Sequence, residues 1–273
     1  MVQIQYASDL HIDGWPAGTS FFSFLTPVAP ILILAGDICS VWHPFYTSFL
    51  TWCSRHWAYV FVLAGNHEYH NADGVTATIQ ETDAEIGRLC RKFTNVFYLQ
   101  GGASYVIPGS GAGTPLRFVG ATLWSDVDTA LWEEAATKKG DCRKIFIDTP
   151  RGKRRALPAD LCALHAAHRA NLSAAMGAPY APNERLVIIT HHMPTLELLE
   201  SHYRGEKWSS FYASDDEDLI GPWVAAWICG HGHRGTRCAL RGTTLLMNAR
   251  GYNTSDDAGR ATDLYNPVAI FTL

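Results

Sequence analysis

The sequence predicts a layered α/β fold, a sandwich of two mixed β-sheets flanked by helices. Three observations carry this: short apolar runs recur along the chain, each closes on a small or polar residue, and several are separated by stretches with helical spacing. In chain order the strand candidates are Val2–Ala7, Ile31–Ala35, Tyr59–Ala64, Leu116–Val119, Arg185–Thr190 and Val224–Cys229, β-branched or aromatic segments too short for helices. The helix candidates are His43–His56, Gly74–Phe93 and Pro158–Met176, the last opened by a proline in its first turn, where the missing N–H costs nothing. Towards the C-terminal end, Thr236–Leu240, Thr243–Met247 and Val268–Leu273 read as a meander, with Arg241-Gly242 as a tight turn.

A chain of 273 residues, 47% hydrophobic and 18% charged, excludes disorder and fibrous repeats and is long enough to bury a large core. One domain over 1–273 is expected, with a basic insertion or cap around 138–157. Within it, Lys138, Lys139, Arg143, Lys144, Arg151, Lys153, Arg154 and Arg155 face only Asp141 and Asp148, a local charge of +6. Two readings stay open for this stretch: a solvated surface loop, or a rim that draws in an anionic substrate. The whole chain carries -4, which argues against a general nucleic-acid binder. Seven cysteines (39, 53, 90, 142, 162, 229 and 238) include no CxxC pair, so neither a disulfide framework nor a thiolate zinc site is expected. That usage, and the lack of a leader-like or membrane-length apolar run, predict a cytoplasmic protein with no membrane partner. Oligomeric state is not legible. Histidine is over-used, 12 residues against 6 lysines, and it is the side chain most often recruited for metals and proton transfer.

Chemistry-bearing residues gather directly after the apolar runs, where ligands bind in open α/β sheets. The runs end in Ser8-Asp9-Leu10-His11, Gly36-Asp37, Gly65-Asn66-His67-Glu68, Thr190-His191-His192-Met193-Pro194 and Gly230-His231-Gly232-His233. Each alone is weak, since a histidine beside a strand is usually structural and a Gly-Asp is usually a turn. Five together point to one polar site.

The order Asp-x-His, Gly-Asp, Gly-Asn-His-Glu, His-His-x-Pro, Gly-His-x-His resembles the calcineurin-like metallophosphoesterase superfamily over residues 8 to 233. The resemblance implies a four-layer αββα sandwich. It further implies that Asp9, His11 and His233 hold one metal, that Asn66, His191 and His231 hold a second, and that Asp37 bridges them. His192 would orient a ligand or touch substrate. Glu68 stands where many members carry Asp, and Gly232 where Thr or Ser is common. The segment Asn248-Ala249-Arg250-Gly251-Tyr252 is similar to a subgroup with an Asn-Pro-Arg-Gly-Tyr turn. Arg204 and Arg250 are candidate phosphate contacts, or equally salt-bridge partners.

A ligand set of four imidazoles with the oxygens of Asp9, Asp37 and Asn66 suits Mn, Fe, Zn or Ni better than Mg or Ca. Two such ions would clamp a phosphoryl group and generate a bridging hydroxide nucleophile. His67, outside the ligand count, is the candidate general acid for the leaving alcohol, as the resemblance also implies. The expected activity is hydrolysis of a small phosphomonoester or phosphodiester. A nuclease or nucleotide phosphodiesterase that uses the basic stretch, with nucleic acid as partner, is a less favoured alternative, and a non-catalytic metal-binding scaffold is another.

Overall fold

Strands buried on both faces read as unbroken apolar runs, and these runs build the two sheets of the computed structural model. It describes residues 1–72, 74–109, 113–178, 181, 183–252 and 264–273. In chain order the elements are β1 (Gln3–Ala7), β2 (Ile31–Ala35), α1 (Pro44–His56), β3 (Tyr59–Leu63), α2 (Ile79–Cys90), β4 (Val96–Tyr98), β5 (Ala103–Ile107) and β6 (Leu116–Ala121). There follow α3 (Trp132–Lys138), α4 (Gly140–Lys144), β7 (Phe146–Thr149), β8 (Gly152–Arg155), α5 (Pro158–Met176), β9 (Arg185–Thr190), β10 (Val224–Cys229), β11 (Gly235–Leu240), β12 (Thr243–Asn248) and β13 (Ile270–Thr272).

One sheet runs β13-β1-β2-β3-β4 and the other β11-β12-β10-β9-β6-β5. In the first, β1 to β4 are parallel; in the second, β6, β9, β10 and β12 are parallel. Alternation along each strand assigns its two faces. Ile31, Ile33 and Ala35 point to the layer between the sheets, where they meet Phe118, Ile189, Ile228 and Leu246. Leu32 and Leu34 point outwards to α1 and α2, through Tyr46, Phe49, Leu50, Ile86 and Leu89. The outer face of the second sheet, through Val119, Ile188, Trp227 and Leu245, is covered by Leu172 of α5 and by Leu198, Leu199 and Ile220 from the loops. The result is the four-layer αββα sandwich that the sequence predicts.

Helix starts follow local rules. Pro44 opens α1, whose first turn is closed by His43 Nδ1 accepting from the Phe45 N–H (3.2 Å). At α2, Thr78 Oγ1 accepts from Glu81 N–H (3.3 Å) while the Glu81 carboxylate accepts from Thr78 N–H (2.9 Å), a reciprocal cap.

The expected meander needs correction. The β11-β12 hairpin forms with Arg241-Gly242 at its turn, both with positive φ. The third segment instead crosses to the other sheet, where β13 pairs antiparallel with β1, Gln3 opposite Thr272. Alternation was right, but nothing local says which edge a short final strand joins. The basic stretch folds as α4 followed by the β7-β8 hairpin. Much of its charge is neutralised by ion pairs: Lys138 with Glu134 (2.8 Å), Lys153 with Glu81 (2.6 Å) and Arg154 with Asp160 (2.6 Å). No helix among the described residues is long and apolar enough to cross a membrane. All seven cysteines are free thiols.

Phe61 of β3 and Phe118 of β6 stack across the inter-sheet layer, ring centroids 4.2 Å apart. Phe118→Ala is expected to cost about 3–5 kcal/mol, because a flat layer between two sheets cannot collapse onto the void. Urea unfolding monitored by tryptophan fluorescence checks this.

Candidate metal centre and substrate cavity

The parallel strands of both sheets deliver their carboxyl ends to one edge of the sandwich, and cross-links between the following loops draw those ends together. Asp9 N–H donates to the Gly36 carbonyl (2.9 Å) and His11 N–H to the Asp37 carbonyl (3.1 Å). Across the second sheet, Gly230 N–H donates to the His191 carbonyl (2.9 Å) and His192 N–H to the Thr122 carbonyl (3.1 Å). The two sets join where His231 N–H donates to the Asp9 carboxylate (3.0 Å).

The turns are tight enough to force unusual backbone. Asp9 (φ 53°), His11 (42°), Asp37 (54°), His231 (66°) and His233 (46°) all lie in the left-handed region, which costs a non-glycine residue roughly 1–2 kcal/mol each. Strain held at five neighbouring positions marks this edge as the functional one. Gly65 shows how close the loops lie, since a Cβ there would sit 2.1 Å from Asp37 Oδ1.

The side chains converge in three groups of candidate ligands: Asp9 with His11 and His233; His11 with Asp37 and His67; and Asp37 with His191 and His231. His11 Nε2 is 3.3 Å from His233 Nε2, and His233 Nε2 is 3.5 Å from Asp9 Oδ1. On the other side, His191 Nε2 is 3.4 Å from Asp37 Oδ2 and 3.1 Å from Asn66 Oδ1. The Ala35 carbonyl, 2.9 Å from His191 Nδ1, can only accept, so Nδ1 carries a hydrogen and Nε2 is the nitrogen turned towards Asp37 and Asn66.

Asp37 sits between the groups. Its Oδ1 accepts from His67 N–H (2.8 Å), whereas Oδ2 is buried with no hydrogen-bond partner. Burial opposes its charge, but His191 and His67 outweigh that and hold the carboxyl well below the usual range. Burial likewise lowers His191, yet Asp37 and then Asp9 more than reverse this and raise the imidazole to about 10. A pocket that pulls so strongly towards positive charge, around a buried carboxylate oxygen without a hydrogen-bond partner, fits divalent cations. Burial pushes His11 and His231 well below the ordinary imidazole range, which suits neutral ligands.

Glu68 explains the Glu in the Gly-Asn-His-Glu motif. Its carboxylate, fully buried, accepts from the N–H groups of Asp37 (2.9 Å), Ile38 (2.7 Å) and Gly65 (2.7 Å), locking two loops that carry candidate ligands. His67 lies next to Asp37, with its ring 4.7 Å from His11. Burial lowers it to about 4, with Asp37 pulling the other way.

Beyond these residues opens a cavity of about 790 Å³. Asp37, Asn66, His67, His231 and His233 form its floor, Tyr203, Trp208, Phe211 and Tyr212 an aromatic wall beside Leu199, and Lys139 and Lys144 part of its rim. The Lys139 ammonium sits 4.5 Å above the Trp208 ring and 4.8 Å from that of Phe211.

Three candidate residues from the sequence stand elsewhere. His192 is buried behind His231, rings 4.3 Å apart, and Nδ1 lies 3.3 Å from the Thr122 carbonyl, so it packs against a candidate ligand and does not line the cavity. Arg204 is occupied by Glu197 (2.7 Å) and the Leu199 carbonyl (3.0 Å). Arg250 packs its guanidinium 3.7 Å over the Trp15 ring. Neither arginine lines the cavity; Arg204 is held by its own loop and Arg250 by the aromatic rings of Trp15 and Phe24.

Three others were missed. Asp141, an acid inside the basic stretch, is buried and accepts from Asn66 Nδ2 (2.9 Å), which fixes the amide so that Oδ1 faces His191. His70 Nε2 lies 2.6 Å from the same Asp141 oxygen. The Tyr252 hydroxyl lies 2.6 Å from His67 Nε2. An isolated acid in a run of lysines and arginines was the available signal for Asp141; His70 lay just beyond a motif already read.

No family model matches the chain. The sequence is 24% identical over 272 residues to uncharacterized protein L509 of Acanthamoeba polyphaga mimivirus, covering 92% of this chain and 91% of that protein. Among solved structures, the phosphopantetheinyl hydrolase PptH from Mycobacterium tuberculosis is similar with a TM-score of 0.65 at 18% identity, covering 92% of this chain and 89% of that one. TT1561 of Thermus thermophilus is similar with a TM-score of 0.51 at 12% identity, covering 91% and 89%. What the chain shares with them is the fold, the four-layer αββα sandwich.

Gly65→Ala is expected to displace Asp37 and lower the amount of metal bound per chain relative to the unsubstituted protein, with the fold retained. Inductively coupled plasma mass spectrometry beside circular dichroism reads both.

Proposed function

We propose that this chain is a phosphohydrolase dependent on two divalent ions, acting on a small phosphate ester. The observation that carries the reading is the buried Asp37 carboxylate, which groups with His11 and His67 on one side and with His191 and His231 on the other, its Oδ2 faced by imidazoles and without a hydrogen-bond partner. Asp9, His11 and His233 would hold one ion, Asn66, His191 and His231 the other, with Asp37 common to both. Mn, Fe, Zn or Ni suits this mixed nitrogen and oxygen set. When bound, such ions supply Lewis-acid charge to the phosphoryl oxygens and lower the pKa of an attacking water.

The chain's own residues do the rest. Asp141 and Glu68 keep Asn66 and Asp37 in place, so little reorganisation accompanies substrate entry. His67 stands on the cavity floor beside Asp37 and is the candidate donor of a proton to the departing alcohol. Its lowered pKa opposes that role until a phosphate arrives, because negative charge beside the ring raises it again. The leaving group would lie along the aromatic wall, with Lys139 and Lys144 near it. The ion pairs that consume Lys138, Lys153 and Arg154 support a small ester over a nucleic acid, since little of the +6 stretch faces the cavity. The intact ligand constellation supports an enzyme over a metal-binding scaffold.

Two measurements test this. Asp37→Asn should lose both ions in metal analysis; a variant that keeps two would remove the bridging role. His67→Ala should slow hydrolysis of an alkyl phosphate by roughly 100-fold or more and a nitrophenyl phosphate far less, because only a poor leaving group needs its proton. Equal losses on both esters would contradict the acid role.

A further inference from the structure

The turn after β12 brings to the cavity a group that neither the ligand set nor the acid uses, the phenol of Tyr252. Its position is fixed from two sides. Arg250 N–H donates to the Ser8 carbonyl (3.1 Å) and Gly251 N–H to the Asp9 carbonyl (3.0 Å), so the turn is tied to the loop carrying Asp9 and His11. The Arg250 guanidinium, packed over Trp15 (3.7 Å) and Phe24 (4.6 Å), anchors it from outside. The phenol ring then covers His11 with centroids 4.3 Å apart and meets His233 edge-on at 4.6 Å. Its hydroxyl stands 2.6 Å from His67 Nε2, and Tyr252 and His67 line the same cavity.

This geometry places the hydroxyl within hydrogen-bond distance of His67 Nε2, at the cavity that both residues line. A phenol can accept one hydrogen bond while donating another. We propose that Tyr252 is a catalytic proton relay between His67 and the leaving oxygen, an inference that rests on the phosphohydrolase reading above. As the P–O bond breaks, its electron pair goes to the leaving oxygen. The Tyr252 O–H bond breaks and its proton goes to that oxygen, while the Nε2 proton of the His67 imidazolium passes to the phenolic oxygen. Tyr252 ends as it began, His67 ends neutral, and solvent entering the cavity restores its proton.

Tyr252→Phe keeps the ring that packs on His11 and removes only the hydroxyl. In the Mn-loaded protein the variant should lose about 100-fold or more in kcat on an alkyl phosphate, with a much smaller loss on a nitrophenyl phosphate. The double variant Tyr252→Phe/His67→Ala should be no slower on the alkyl ester than His67→Ala alone, because both act in one proton path. Two readouts are independent of turnover: the variant should still bind two ions, and in metal-free protein the His67 Nε2 nitrogen resonance should move. Equal losses on the two esters, a multiplicative double variant, loss of an ion or an unmoved resonance would each overturn the relay. A wild-type chain inactive on both esters would overturn the phosphohydrolase reading itself and the relay with it; an active wild type whose Tyr252→Phe variant keeps its alkyl-ester rate would overturn the relay alone.

Discussion

A buried carboxylate with one oxygen satisfied and one left open is the constraint from which the rest of this site follows. Leaving an anion half-paired in a low-dielectric interior is costly, and an uncompensated one would take up a proton. Asp37 stays ionised because His191 and His67 surround it, and its position is enforced by Glu68 accepting three backbone N–H groups. The left-handed turns at Asp9, His11, His231 and His233 carry the remaining side chains to the same point.

What could be read from sequence follows from the same architecture. Parallel strands buried on both faces give unbroken apolar runs, so β1, β2, β3, β9 and β10 were legible almost to the residue, and the polar residues that follow them fall at one edge by topology. The strands that escaped lack this signature. β4 has three residues and β5 is largely exposed, so neither shows a run of useful length. The destination of β13 depends on an edge left vacant by a strand about 270 positions away. Asp141 and His70 escaped because they act on Asn66 from outside the strand ends, through contacts separated by 75 and 71 residues from their partners. Tyr252 was visible as part of a turn, but only the bond from Gly251 to Asp9 shows where that turn leads.

The basic stretch shows how local charge misleads when partners are unknown. Read along the chain it is a block of one sign; folded, three of its cations are matched by acids from neighbouring elements, and its one buried acid is the residue that serves the site. Lys139 shows a further use of a cation, held against an aromatic surface that a substrate can share.

The cross-link between the loop after β1 and the turn after β12 also has a consequence for how the molecule comes into being. Asp9 and Gly251 are hydrogen-bonded neighbours in space and more than 240 residues apart in sequence. When a ribosome has made the first half of the chain, Asp9, His11, Asp37, Asn66 and His67 exist without His191, His231 or His233, so Asp37 lacks the imidazole that opposes its burial most strongly. Closing so long a loop is slow. The first sheet therefore carries only half of the candidate site for much of synthesis, and the polar edge shared by the two sheets is one of the last features of the fold to form.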